Sequence, residues 1–289
     1  MEERTFLPVR NDAVFRLFFA DERNIEFLRS FLQATLRIPR EEYESIEILD
    51  PNLLREYADD KLGIIDTKLK LRDGRIIHIE IQKSVTAELK ERIVYYDAKL
   101  ITEQLKSGDD YGSIRQVISI IITDEVMIPS SLRYKHRFTM YDGEAEIEFS
   151  NLIEINTLEL VKLPAGTDGT ELYDWARFIA ANIEEELLMV EDSNPVIKKA
   201  AVILRELSAD ERARDLFERR EKALRDERMR IRGALKQGLE QGLEQGIQRG
   251  IQQGTLRVAS KMLAEGMSIS EVARLTGLSA DELAQVKTE

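Results

Sequence analysis

Apolar and polar residues alternate along two neighbouring stretches of the chain, 63–71 and 75–82. The apolar positions are Ile65, Leu69, Leu71, Ile77, Ile79 and Ile81. The polar positions are Asp66, Lys68, Lys70, His78, Glu80 and Gln82. Because successive side chains of a strand point to opposite faces, the alternation predicts two strands that each have one apolar face for burial and one polar face.

The connection between these strands, Arg72-Asp73-Gly74, decides which residues face each other. A two-residue loop would put the apolar faces of the two strands on opposite sides, whereas a three-residue loop puts them on the same side. Burial of one continuous apolar face strongly selects the register, and this loop sequence suits a type I turn that ends in a left-handed glycine. We therefore predict a three-residue loop that places Asp66 opposite Glu80 and Lys68 opposite His78.

The predicted register brings two carboxylates together. Directly opposed side chains lie about 5 Å apart at Cβ, and two carboxylates at that distance repel each other unless a cation lies between them or one takes a proton. One interpretation is a site for a divalent metal ion. The other is a solvated polar face on which Lys68 and Lys70 serve as counter-ions.

The remaining pattern predicts further helices and strands around this hairpin. Helices are predicted within 11–19 with Asn11 or Asp12 as the cap, from 24 to about 35, from 87 to 106 with Gly108 as the end, and from about 171 to 190. Strands are predicted at 46–49, 114–123, 137–141 and 145–152. The stretch 114–123 is so apolar that we expect it in the interior of the sheet.

A repeat with a period of four residues follows a densely charged stretch, 211–232. Within 237–254, Gln-Gly-Leu/Ile motifs recur, and each glycine costs a helix about 1 kcal/mol relative to alanine. The segment is therefore either a flexible tether or a helix whose glycines let a partner backbone approach closely. On a helix, residues that recur every four positions form a stripe that winds around the axis in the direction opposite to the stripe of a heptad repeat. This direction favours right-handed coiling of associated helices. We favour a helix used for self-association.

The last part of the chain contains two capping-box sequences, which begin at Ser268 and Ser279. Between them, Ala273 precedes Gly277 by four residues, a spacing that suits a tight helix-turn-helix. The alternative is a small helical hairpin without a role in DNA binding, because the second helix contains more acidic than basic residues and phosphate-lined grooves repel acids.

Composition narrows the chemistry further. The chain of 289 residues has no cysteine and two histidines, so thiolate sites and a histidine-based zinc site are not expected. A net charge of −12 argues against nucleic-acid binding over the whole surface, although a carboxylate-rich site can still act when a metal neutralises it. The pattern contains neither a signal peptide nor a membrane span, so we expect a cytoplasmic protein.

Several motifs together resemble the recombination-promoting nuclease (Rpn) and transposase-like proteins of the PD-(D/E)XK nuclease superfamily. The motifs are Asn11–Phe18, Asp66 before the hairpin, Glu80-Ile81-Gln82, Arg92–Tyr96, Gln104–Tyr111, the glycine-glutamine repeat and the helical tail. The resemblance implies an α/β fold of the restriction-endonuclease type, a mixed sheet flanked by helices, with an all-helical C-terminal extension. It also implies four segments: a nuclease-like domain at 1–190, a charged helical segment at 191–236, the repeat at 237–255 and a helix-turn-helix-like tail at 256–289.

The same resemblance implies roles for individual residues. Asp66 and Glu80 would hold Mg²⁺ or Mn²⁺ together with the carbonyl group of Ile81. Gln82 stands where the superfamily usually has lysine, so it would orient the attacking water without supplying charge. Lys68, on the same face, would then supply the missing positive charge.

Two further residues have open assignments. Asp12 is interpreted either as an outer carboxylate of the site or as a helix cap. Arg92 is interpreted either as a phosphate contact or as the partner of Glu88 on its own helix.

The function that the resemblance implies is metal-dependent hydrolysis of DNA by an endonuclease linked to recombination or mobile elements. The expected partners are DNA and further copies of the chain, which would associate through the C-terminal repeat. Association with a membrane is not expected. The main alternative is a non-catalytic, self-associating DNA-binding protein on a degenerate nuclease fold. A third interpretation is a protein-interaction scaffold that binds neither metal nor DNA.

Overall fold

The computed structural model of the chain describes residues 6–49 and 67–286. The strands are β1 (Ile46–Leu49), β2 (Thr67–Leu71), β3 (Ile76–Gln82), β4 (Val117–Thr123), β5 (Lys135–Asp142) and β6 (Ile147–Glu159). The helices are α1 (Asp12–Phe19), α2 (Ile25–Thr35), α3 (Leu89–Thr102), α4 (Glu171–Ala180), α5 (Glu184–Glu191), α6 (Pro195–Ala209), α7 (Glu211–Ala264), α8 (Ile269–Thr276) and α9 (Ala280–Val286). The α/β class is confirmed.

The six strands form one mixed sheet in the order β1-β2-β3-β4-β6-β5. Strands β3, β4 and β6 run parallel in the centre, and antiparallel pairs flank them on both sides. The hairpin register is as predicted: Lys68 faces His78, and the amide of Leu71 donates to the carbonyl of Arg75 across a three-residue loop. Gly74 has a φ of +88°, the left-handed conformation that the predicted turn requires.

The main hydrophobic core lies between one face of the sheet and helices α1, α2, α4 and α6. Ile77, Ile79 and Ile81 of β3 contribute to it, and α1 and α2 supply the phenylalanines that fill it. The side chain of Trp175 on α4 is fully buried among them. The apolar face of the hairpin therefore packs as the alternation predicts.

The opposite face of β3 differs from the expectation of an exposed polar surface. Helix α3 covers it, and its apolar residues Leu89, Ile93 and Leu100 pack against Ile76, Val117 and Ile121 of the central strands. As a result His78 and Glu80 are buried, with 0% and 3% of their surface exposed. A sheet with helices on both faces can bury polar residues only if they find partners there.

Most predicted elements are confirmed, with shifted ends. The strand predicted at 114–123 begins at Val117 and lies in the interior of the sheet, and the strands near 137–152 are longer than predicted. Helix α3 ends at Thr102, so Gly108 lies beyond its end and does not terminate it. Asn11, rather than Asp12, caps α1 and accepts hydrogen bonds from the amides of Ala13 and Val14.

The described chain divides into two compact units, 1–220 and 221–289. Helix α6 packs in the core of the first unit, although it follows residue 190. The division into four segments that the resemblance implies stays a prediction.

The second unit contains the repeat, which is helical and belongs to α7. Its C-terminal end, α8 and α9 share a small core of Ala259, Val272 and Leu283. Both capping boxes are formed, because Ser268 with Glu271 and Ser279 with Glu282 exchange the two reciprocal hydrogen bonds. In the described part of the chain, none of the helices has the length and apolar character needed to span a membrane.

Candidate active site on the helix-covered face of the sheet

Glu80 is the centre of the candidate site, and its two carboxylate oxygens have different surroundings. Oε1 accepts hydrogen bonds from Nη2 of Arg92 at 2.9 Å and from the side-chain amide of Gln82. Oε2 lies 3.7 Å from Nε2 of His78, which is beyond hydrogen-bond distance. One oxygen is therefore held by the protein, and the other faces a second polar atom without a bond between them.

Arg92 reaches Glu80 because α3 crosses the polar face of β3. The sequence left its role open between a phosphate contact and an ion pair with Glu88, and the structure gives a different partner. The pair is nearly buried, with side-chain exposures of 20% for Arg92 and 5% for Glu80. Arg92 thus brings a permanent positive charge to the carboxylate.

His78 is oriented by a buried network that sequence reasoning missed. The hydroxyl of Ser119 on β4 donates to Oδ1 of Asp97 on α3, and Nδ1 of His78 lies 3.3 Å from the same hydroxyl oxygen. All three side chains have 0% exposure. The signals were single polar residues in apolar patterns: Ser119 interrupts a strand that is otherwise aliphatic, and Asp97 lies on the apolar stripe of α3 between Ile93 and Leu100.

Lys68 lies opposite His78 in the register, as predicted, but its ammonium group has another partner. Nζ of Lys68 is 4.0 Å from Oε2 of Glu103, and no ion pair joins it to Glu80 among the residues that the structure describes. Burial lowers the pKa of Lys68, and the charge of Glu103 acts in the opposite direction. Among the described residues, the cation that pairs with Glu80 is Arg92.

The other candidate residues are placed as follows. The side chain of Ile81 belongs to the main core, so only its backbone can serve the polar face. Asp12 accepts a hydrogen bond from the amide of Ala13 and forms an ion pair with Arg220. Asp66, the predicted partner of Glu80, lies outside the described residues.

A second buried cluster lies on the same face of the sheet, near the end of β6. Oε2 of Glu159 accepts hydrogen bonds from the amides of Met127 and Ile128, and the ammonium group of Lys162 lies 2.7 Å away. Nδ1 of His136 is 3.6 Å from the other oxygen of Glu159, and burial lowers the pKa of this histidine. Backbone amides and Lys162 compensate the charge at Oε2 of Glu159, whereas Oε1 and both ring nitrogens of His136 are buried without a hydrogen-bond partner among the described residues.

Within residues 6–49 and 67–286, three or more histidine or acidic side chains do not come together in a way that could hold a metal ion.

The comparison with protein families decides the relationship of the chain. A family model described as "PD-(D/E)XK nuclease family transposase" matches residues 9–234, which include the sheet and all the helices of the first unit. The chain belongs to this family. The resemblance found in the sequence is thereby confirmed, as is the fold of a mixed sheet flanked by helices with a helical C-terminal region.

A second family model matches the tail of this PD-(D/E)XK family member. It is described as the C-terminal helix-turn-helix domain of the Rpn/YhgA-like nuclease family and covers residues 252–288. That range contains α8, α9 and the end of α7, which share the small core described above. No match was found among curated proteins or among solved structures.

Proposed function

We propose that this PD-(D/E)XK family member is a metal-dependent DNA endonuclease that acts in recombination or in the movement of mobile elements. The observation that carries the proposal is the environment of Glu80. A carboxylate that is 3% exposed in the middle of a sheet is costly unless it has a task or a full set of partners. One of its oxygens has partners, and the other faces Nε2 of His78, which forms no hydrogen bond within the described part of the chain.

The metal ion would be held by Asp66, Glu80 and the carbonyl oxygen of Ile81, since hard cations such as Mg²⁺ and Mn²⁺ prefer oxygen ligands. When bound, such an ion lowers the pKa of a coordinated water and neutralises charge that develops on the scissile phosphate. Oε2 of Glu80 fits this purpose, because the hydrogen bonds from Arg92 and Gln82 both go to the other oxygen.

Gln82 and Arg92 would together replace the lysine that is usual in the superfamily: Gln82 would orient the attacking water, and Arg92 would supply the positive charge. The amide nitrogen of Gln82 donates to Glu80, so its carbonyl oxygen remains as an acceptor that can orient a water molecule. Arg92 fixes the rotamer of Glu80 and adds positive charge next to it. Lys68, one row away on the same face, would contribute to the electrostatic field around the phosphate.

The test is a plasmid-nicking assay with purified full-length protein and Mg²⁺ or Mn²⁺. Asp66→Ala and Glu80→Ala should each lower the nicking rate at least about 100-fold, because each removes a metal ligand. Glu91→Ala, which changes an exposed carboxylate on α3, is the matched control and should nick at the wild-type rate. Nicking that continues unchanged in both site variants would refute the assignment.

The alternative function is DNA binding without catalysis on a degenerate nuclease fold. It is favoured by Gln82, because an uncharged amide cannot accept a proton from the attacking water. Calorimetric titration with Mn²⁺ separates the two functions: the nuclease binds the ion and loses it in Glu80→Ala, whereas the degenerate fold binds DNA in a shift assay without any ion. A protein-interaction scaffold would bind neither.

We propose in addition that residues 252–288 contact DNA, which the helix-turn-helix family match supports. Charge in this segment is balanced, and two of its acids, Glu271 and Glu282, are occupied in capping boxes at their own helix starts. Arg274 is exposed on α8 and is the best candidate for a phosphate contact. Arg274→Ala should weaken binding of duplex DNA. It should also reduce the slope of the logarithm of the binding constant against the logarithm of the salt concentration by about one, as measured by fluorescence anisotropy at several salt concentrations.

We propose finally that the repeat makes the protein a homo-oligomer. Leu239, Leu243, Ile247 and Ile251 form an apolar stripe on α7 with side chains 55–72% exposed. A methyl group added at Gly238, Gly242, Gly246, Gly250 or Gly254 would meet nothing within 4 Å in the chain itself. A helix that keeps both an exposed apolar stripe and costly glycines is explained by a second copy that covers the stripe closely.

Alanine substitution separates this explanation from its alternative. Gly242→Ala and Gly246→Ala each favour the isolated helix by about 1 kcal/mol, yet they should lower the association constant if a partner backbone lies against them. Gly233→Ala is the control, since Gly233 lies in the same helix before the repeat and also has open space around it. Sedimentation equilibrium that shows equal or tighter association in the repeat variants would refute close packing at these glycines.

A further inference from the structure

We propose that His78 supplies a nitrogen ligand to the metal ion held by Glu80, so that the site prefers Mn²⁺ to Mg²⁺. The inference rests on the proposed function, because it concerns the same ion. It adds a ligand of a different chemical type, and imidazole suits transition metals, whereas Mg²⁺ selects oxygen.

The tautomer of His78 follows from its neighbours. The carboxylate of Asp97 can only accept, so the hydroxyl hydrogen of Ser119 is directed to Asp97. The hydroxyl oxygen can then only accept from Nδ1 of His78, which is 3.3 Å away. In the neutral ring, the form that binds a metal ion, a hydrogen on Nδ1 leaves the lone pair on Nε2, the nitrogen that faces Glu80.

Nε2 is thus an acceptor directed at another acceptor. It is buried and has no hydrogen-bond partner among the residues that the structure describes, and Oε2 of Glu80 lies 3.7 Å from it. Two lone pairs that face each other in a buried site repel, and a cation between them removes the repulsion. Two ligand atoms that each lie about 2.1 Å from one ion can be at most about 4.2 Å apart, and the observed separation satisfies this limit.

The support behind the ring is typical of a metal-binding histidine. Such histidines direct the other ring N–H to a carboxylate or another acceptor, which fixes both the tautomer and the ring plane. Here Ser119 relays the interaction to Asp97, and the three residues come from β3, β4 and α3. We assign Ser119 and Asp97 as positioning residues and His78 as the ligand.

The experiment uses the full-length protein loaded with Mn²⁺ and pulsed electron paramagnetic resonance, which detects nitrogen nuclei bound to the ion. The chain has two histidines, so each can be removed in turn. The wild type and His136→Gln should show the modulation of an imidazole nitrogen, and His78→Gln should lack it. Calorimetry should show at least a tenfold loss of Mn²⁺ affinity in His78→Gln and a smaller change in Mg²⁺ affinity.

Ser119→Ala provides a second variant that keeps the ligand and removes its support. It should retain the nitrogen modulation and lower Mn²⁺ affinity by about tenfold, within the range known for partners behind a metal ligand. Fluorescence of Trp175 checks that each variant is folded, because this single tryptophan is buried in the first unit.

The outcomes distinguish this inference from the function on which it rests. Mn²⁺ that binds in a manner dependent on Glu80 but without nitrogen modulation would overturn the role of His78 and leave the nuclease proposal intact. A wild-type protein that binds no Mn²⁺ at all would overturn both.

Discussion

Replacement of Arg92 by methionine tests how strongly α3 controls the carboxylate of Glu80. The substitution keeps a long side chain that fills the space and removes the guanidinium group. Glu80 would then lose the charged donor that lies 2.9 Å from Oε1 and would keep Gln82 as its neutral donor. Because the carboxylate is nearly inaccessible to water, solvent cannot replace the lost partner.

Removal of one partner from a fully buried ion pair costs about 3–5 kcal/mol. The side chain of Arg92 is 20% exposed, so some water reaches the pair, and we expect Arg92→Met to lower the free energy of unfolding by about 2–3 kcal/mol. Glu80→Gln removes the buried charge. In a protein that carries Glu80→Gln, Arg92→Met should therefore lower the free energy of unfolding much less than it does in the wild type. The coupling energy of the double-mutant cycle should therefore be at least about 1.5 kcal/mol.

The assay is urea unfolding followed by the fluorescence of Trp175, which reports on the first unit. Arg219→Met is the matched control, because Arg219 pairs with Asp215 on the exposed surface of α7 and should contribute at most about 0.5 kcal/mol. Mn²⁺ should stabilise Arg92→Met more than the wild type, since a cation replaces the missing charge. Additive effects of the two substitutions, within about 0.5 kcal/mol, would refute the coupling.

Three further predictions concern the scaffold. Asn11→Ala should lower the free energy of unfolding of the first unit by at least about 1 kcal/mol in urea titrations, because Asn11 caps α1, and an unchanged midpoint would contradict this. Burial raises the pKa of the Tyr43 hydroxyl above the unfolded value of about 10, so the stabilising contribution of this group is complete below pH 10 and is lost as the pH rises further. The difference in free energy of unfolding between wild type and Tyr43→Phe should therefore shrink above pH 10. A difference that stays constant with pH would contradict the shift. Gly277→Ala should lower the local stability of the tail by about 1–2 kcal/mol, because φ is +75° at this helix end. Hydrogen exchange of the Val272 amide should then be faster than in the wild type. An unchanged exchange rate would show that the turn adapts to alanine.

The register of the hairpin could be predicted because it follows from one strong physical constraint. A slip by one residue would have turned Ile77, Ile79 and Ile81 away from the main hydrophobic core and placed their polar neighbours in it, a large loss of apolar packing. Gly74 supplied an independent local signal, since its left-handed conformation fits a single turn type. Local and long-range signals agree at this point of the chain, so the prediction is confirmed.

The environment of Glu80 was harder to predict because it depends on which helix covers the sheet. Alternation in β3 alone resembles a strand with one solvated face. The contrary signal was β4, in which Val117 and Ile121 on one face are as apolar as Ile118 and Ile120 on the other, so both of its faces had to be buried. Once α3 covers that face, the side chains of Arg92 and Asp97 are brought to Glu80 and Ser119, and no spacing along the sequence contains this information.

The difference between Gln82 and the usual lysine of the superfamily can be understood from these contacts. A lysine at position 82 would place a positive charge on the same strand as Glu80, two residues away. In this chain Gln82 and Arg92 both donate to Oε1 of Glu80, so the positive charge comes from α3 instead of β3. A positive charge therefore still lies next to Glu80, but a helix residue supplies it instead of a strand residue. For that reason, substitution of Arg92 should change the electrostatic environment of the Glu80 carboxylate more than substitution of Lys68, whose ammonium group lies beside Glu103.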